Sequence, residues 1–192
     1  MALRLTWQGC ARFPFRRAHT AISTFQPRMW QLISQRSAFV TPTNSVAGGV
    51  KISGRIVETG VYKLRRLGVH PKNIIHGYGS VPIPTIHPKS ARAMGRTNDA
   101  LYCGGDTYYT VTFENIEKLR KIVLKAPSST AREYGKPFYE VFKATGFDFY
   151  KIDPNLFAPA VVLVNNVRTG LTFRSGQIND ALLKDTMAVT TG

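Results

Sequence analysis

An α+β fold, a mixed sheet with packed helices, is what the sequence predicts. Three observations carry that expectation. Runs rich in β-branched and aromatic residues, such as Tyr108 to Phe113, alternate with helically spaced stripes, such as Ile116, Leu119, Ile122 and Val123. Ala160 to Val164 is continuously apolar, and a turn at Arg168 to Gly170 returns the chain through Leu171 to Arg174, which makes an antiparallel pair. The 192 residues, 43% apolar and 19% charged, are enough for a packed core and do not have a disordered composition.

The elements follow in order. Residues 1–37 read as an atypical leader with six arginines, no lysine and no acid. That composition has the look of an organelle transit peptide, but it lacks a clean amphipathic helix. A disordered arm or a fusion scar fits equally well. The ordered domain is expected over 38–192. Ser37 to Thr41 reads as a short strand. Asn44 or Ser45 can cap a helix that runs to about Leu67, with Val50, Val57, Val61 and Leu64 as its apolar stripe and Gly68 as its stop. Ile74 and Ile75 suggest a short strand. Val81 to Pro88 is too rich in proline for a regular element and must be a stiff extended loop. Ala91 to Leu101 reads equally as helix or strand. Ile116 to Val123 forms a helix. Pro137 opens another through Thr145, stopped by Gly146, and Asn179 to Asp185 is a last short helix.

Charge narrows the function classes. The formal charge is +15, and the first acidic residue is Glu58, so residues 1–57 carry eight cations and no anion. Such a field attracts polyanions of any kind. No apolar run approaches the ~18 residues a spanning helix needs, so a membrane protein is not expected. Two distant cysteines, Cys10 and Cys103, form no ligand pattern and suit an intracellular setting.

Few constellations could carry chemistry. On the first long helix Lys51, Arg55, Glu58, Tyr62 and Arg65 fall within about 80° of one another. Arg55 and Glu58 are i,i+3 neighbours, and a guanidinium there would keep the carboxylate charged and able to deprotonate a water. An ordinary solvated ion pair gives the same pattern. Gly49, Gly54 and Arg55 do not make a phosphate loop, because Ile56 stands where Lys-Ser/Thr is needed. His70, His76 and His87 lack zinc-site spacing. Cys103 reads as a small buried thiol, and Phe138 as core-facing.

Six blocks then occur in a familiar order. They are Ile52-Ser-Gly-Arg-Ile-Val-Glu-Thr-Gly60, Ala93-Met-Gly-Arg-Thr-Asn-Asp-Ala100, Tyr134-Gly-Lys-Pro-Phe-Tyr-Glu-Val-Phe142, Phe147-Asp-Phe-Tyr-Lys-Ile-Asp153, Phe157-Ala-Pro-Ala160 and Asn166-Val-Arg-Thr-Gly170. Over about residues 38–187 the chain resembles the methenyltetrahydromethanopterin cyclohydrolases. The resemblance implies hydrolysis of the methenyl bridge of a pterin coenzyme to the 5-formyl form, in the one-carbon metabolism of methanogens, other archaea and methylotrophs. It implies a cytoplasmic homotrimer, a two-lobed α+β fold and no redox cofactor, metal, nucleic acid or membrane partner. By the same resemblance Arg55 and Glu58 sit at the reacting carbon, and Asn98, Asp99, Lys136 and Tyr139 lie in the matching blocks as substrate-binding residues. Only the C-terminal part of the family pattern is matched, so a truncated chain without the N-terminal lobe, of reduced activity, is expected. The alternative is a non-enzymatic basic module for nucleic acid, with Tyr108, Tyr109 and Phe113 as base-stacking aromatics. A degenerate subunit paired with an intact homologue is a third reading.

Overall fold

Ser45 starts the first helix as the cap residue its chemistry suits. Its side chain accepts the Gly48 N–H at 3.1 Å. The computed structural model describes residues 41–188. The leader and most of the expected first strand therefore lie outside the described residues. The expected long helix is two helices. α1 (Val46–Ser53) ends at Gly54, and α2 (Ile56–Arg66) restarts behind Arg55. The Arg55 N–H bonds back to the Ile52 carbonyl (3.0 Å), an i→i−3 link that tightens the chain and breaks the α-ladder. The apolar stripe is split with it. Val50 on α1 is exposed, whereas Val57, Val61 and Leu64 on α2 pack on the core.

Gly68, at φ +106°, ends α2 in a conformation that a side chain disfavours. A 3₁₀ turn (Pro71–Asn73) leads to β1 (Ile74–Ser80). That strand is longer than its two isoleucines suggested. It is an edge strand with six of seven residues exposed, so Gly77, Tyr78 and Gly79 carry no apolar alternation to read. The proline-rich stretch 81–88 holds no helix or strand. The ambiguous segment is helical throughout as α3 (Ser90–Gly104).

β2 (Asp106–Val111), α4 (Ile116–Leu124), α5 (Phe138–Ala144), β3 (Val161–Asn166), β4 (Thr172–Gly176) and α6 (Asp180–Met187) complete the described chain. Pro137 caps α5 rather than entering it. The sheet order is β1-β2-β3-β4, with antiparallel outer pairs and a parallel central pair in which Asp106 faces Val161. This is the mixed sheet expected.

Two apolar clusters hold it. Leu64, Tyr109, Val111, Leu119, Val162 and Val164 join α2 and α4 to one sheet face. Tyr102, Cys103, Phe138, Val141, Phe142, Ile152 and Leu156 join α3 to α5 and the chain that follows it. Strand alternation puts Tyr108 and Tyr109 on opposite faces. Tyr109 is buried and donates to the Val57 carbonyl at 2.7 Å, Phe113 packs on the core, and Tyr108 stacks on Tyr78 at 5.1 Å. The three aromatics do not form a base-stacking platform. No helix among the described residues is long and apolar enough to cross a membrane.

Candidate active site

The helix break sets the position of the ion pair. Arg55 is the N-cap residue of α2, and Glu58 lies in its first turn. The guanidinium meets the carboxylate as a fork, with Nε to Oε2 at 3.0 Å and Nη2 to Oε1 at 2.6 Å. The hydrogen bonds from Arg55 hold the Glu58 carboxyl below its ordinary range, against a smaller opposing effect of burial. The N-terminus of α2 also favours negative charge at that turn. Both side chains stay more than half exposed, 61% and 63%. The pair therefore contributes little to stability, and its carboxylate is ionised and open to solvent.

Beside the pair opens a cleft of about 360 Å³. Ile52, Thr59 and Tyr62 continue the wall that Arg55 and Glu58 begin. Met94, Asn98, Leu101 and Tyr102 come from α3, and Phe138 from α5. Phe149, Leu156, Phe157 and Ala158 complete the lining. The Phe138 ring lies 6.0 Å from Phe142, 5.8 Å from Phe149 and 6.0 Å from Phe157. An ionised carboxylate thus borders an apolar, aromatic hollow. That arrangement suits a flat cationic ring system and a water aimed at it.

Asn98, with Nδ2 donating to the Met94 carbonyl at 2.9 Å, lines this cleft beside Arg55 and Glu58. The other three residues suggested by the resemblance stand elsewhere. Asp99, one residue round α3, is 2% exposed. Its Oδ1 accepts the Phe138 N–H at 2.8 Å and lies 2.8 Å from the Tyr102 hydroxyl. That hydroxyl also reaches the Lys136 carbonyl at 2.6 Å. Asp99 thus ties α5 to α3. Lys136 contributes its backbone there, and its side chain is not among the residues lining the cleft. Tyr139 borders a second hollow of about 210 Å³ with His87, Arg92, Arg96 and Asp99, where the Arg92 guanidinium sits 4.5 Å above its ring.

Lys51, on α1 before the Gly54 break, does not line the cleft either, and Arg65, at the C-terminal end of α2, borders a different hollow with Gly68, Val69, His70 and Pro71. Sequence reasoning missed the aromatic wall. Phe149 and Phe157 stand in the matched blocks but carry no periodicity that marks them as a surface. Cys103 is the buried thiol expected, pushed up to about 12 by burial. His70 and His87 each accept a backbone N–H two residues ahead through Nδ1. No three His, Cys, Asp or Glu side chains converge among the described residues.

Asp99 gives a stability prediction. Burial raises its carboxyl to about 6 from an ordinary 3.8. The folded chain then holds the proton more tightly than the unfolded chain. The resulting stabilisation is complete below about pH 4 and is lost as pH rises through about 6, by up to roughly 3 kcal/mol. Asp99→Asn keeps an acceptor for the Phe138 N–H without the charge. It is expected to raise the melting temperature at pH 8 and leave it unchanged at pH 4. Melts that shift equally at both values would contradict the assignment.

Comparison with known proteins extends the motif resemblance. The family model described as Cyclohydrolase (MCH) matches residues 32–187, beginning slightly before the motif-based boundary. Relatives that carry the name methenyltetrahydromethanopterin cyclohydrolase include the following three. That of Methanocella arvoryzae is 51% identical over 142 residues, covering 74% of this chain and 44% of the relative. That of Methanococcoides burtonii is 46% identical over 150 residues, 78% of this chain and 47% of the relative. That of Methanothermobacter marburgensis is 46% identical over 145 residues, 75% and 45%. The chain therefore spans about half the length of the curated relatives it matches. With the family model covering well over half of its residues, the chain belongs to the cyclohydrolase (MCH) family.

Proposed function

We propose that this chain carries the hydrolytic centre for methenyltetrahydromethanopterin and converts it to the 5-formyl form. The observation that supports this most directly is the Arg55–Glu58 fork at the edge of an aromatic cleft. The methenyl carbon bridges two ring nitrogens and shares an amidinium-like positive charge. Glu58 attracts that cation and takes a proton from the attacking water. The hydroxylated carbon then becomes a formyl group as its bond to the second nitrogen breaks. That nitrogen takes up one proton, and the other leaves through Glu58 to solvent. Arg55 aligns Glu58 and keeps it ionised. Asn98 would hydrogen-bond the pterin, and Phe149 and Phe157 would stack against it. The bond change is a hydrolysis with no change of oxidation state, so it calls for no redox cofactor. The family resemblance extends the reading to a cytoplasmic homotrimer.

The test is turnover of methenyltetrahydromethanopterin by the purified chain across pH, beside Arg55→Met. The rate should fall as pH drops through the Glu58 pKa, which Arg55 holds low. Arg55→Met is expected to move this acid limb to higher pH and to lower kcat by about tenfold or more. A limb that stays in place would remove Glu58 from the base role.

A further inference from the structure

Lys63 is a buried cation that the proposed chemistry does not use. It stands on α2 about two turns beyond Arg55 and is 1% exposed. Its Nζ donates to Asn155 Oδ1 at 3.0 Å, to the Asn155 carbonyl at 3.3 Å and to Thr130 Oγ1 at 3.5 Å. Among the described residues no carboxylate comes within ion-pair distance of it. Burial lowers its pKa, and the more distant Asp153 opposes that. A buried ammonium without a contact counter-ion is destabilising relative to an apolar residue of similar volume. Filling space does not explain a lysine here, so its three donors must matter.

The two shorter contacts reach one loop, through Asn155, and the third reaches Thr130 on the 3₁₀ turn Ser128–Thr130. Asn155 is already braced by Asp153, whose Oδ1 accepts both its backbone N–H and its Nδ2 at 3.0 Å. The next three residues, Leu156, Phe157 and Ala158, line the cleft. Their backbone is turned by Leu156 N–H to Asp153 carbonyl (2.9 Å) and Ala158 N–H to Leu156 carbonyl (2.8 Å). Arg55 and Glu58 line the same cleft from the helix that carries Lys63. A single side chain thus links the helix bearing the proposed base to the loop that supplies Leu156, Phe157 and Ala158 to the cleft.

We infer that Lys63 is a positioning residue that fixes the 153–158 loop at a set distance from Glu58 and so determines how tightly the cleft grips its substrate. The inference rests on the proposed function for the identity of that substrate, but not for the loop's placement. A loosened wall weakens ground state and transition state alike, so the effect falls on KM.

The test pairs kinetics with amide exchange on the full chain. Lys63→Met should raise KM for methenyltetrahydromethanopterin at least tenfold with kcat within about twofold, and leave the acid limb of Glu58 unmoved. Exchange at Leu156 and Ala158 should speed at least tenfold, while Tyr109 and Val164 keep wild-type rates. Asn155→Ala, which removes one acceptor without burying anything new, should change both readouts in the same direction by about threefold. It decides the matter if Lys63→Met does not fold. Wild-type KM and loop exchange in Asn155→Ala, or exchange that rises equally across the sheet, would overturn the proposal. If the wild-type chain does not turn over this substrate, the proposed function fails, and loop exchange alone decides the role of Lys63.

Discussion

Glu58→Gln is expected to lower kcat for methenyltetrahydromethanopterin hydrolysis by about 10²–10⁴-fold, the usual contribution of a positioned general base. Glutamine keeps the shape of the side chain and one acceptor for the Arg55 fork. It cannot take a proton from water, and it presents no negative charge to a cationic carbon. KM should rise only severalfold, because the aromatic wall still holds the ring system. Stability should hardly move, since the Arg55–Glu58 pair is more than half exposed. Stopped or steady-state loss of the methenyl chromophore, with a melting curve beside it, makes the check. A variant within threefold of wild-type kcat would leave the reaction without its proposed base.

Phe138→Ala should produce the largest loss of stability, about 3–5 kcal/mol. Phe138 has no exposed surface and packs against Tyr102, Phe142, Phe149 and Phe157. Its removal leaves a cavity that four rings from three segments cannot collapse to fill. For a domain of this size that corresponds to a melting temperature lower by about 10 °C. The same ring backs Phe149 and Phe157 in the cleft lining, so KM should rise as well. Phe138→Leu should recover at least half of the stability, because a branched side chain fills much of the volume. If alanine costs under 1 kcal/mol in a two-state denaturant titration, the aromatic cluster is not the core it is taken to be.

The legible parts of the sequence carry a signal within a few residues: α4 has an apolar stripe beside polar residues, the β3–β4 pair an apolar run followed by a glycine-containing turn, and the first helical region a capping Ser45 and a stopping Gly68. α3 does not, because ten of its fifteen residues are buried and a helix surrounded on most sides has no polar face to betray its period. β1 fails for the opposite reason, with almost nothing buried. The Gly54 break depends on a single turn of altered hydrogen bonding, too local for a periodicity to register. At the site, Arg55 and Glu58 were legible because i,i+3 spacing brings them together in any helix. Asn98 and Asp99 are adjacent in sequence, yet only packing decides that one lines the cleft and the other holds α5. Lys63 was invisible, since its partners Thr130 and Asn155 come from far along the chain.

The parallel pair at the centre of the sheet has a kinetic consequence. Asp106 meets Val161 only after α4, α5 and the whole aromatic wall have been traversed. Closing so long a loop must be offset before the ladder returns any free energy. The β3–β4 hairpin and the helices can form early, and the β2–β3 ladder comes late. Until then the apolar run of β3 has one unpaired edge, the kind of surface on which chains associate. Refolding yield should therefore fall with protein concentration, and low temperature and dilution during production should recover it.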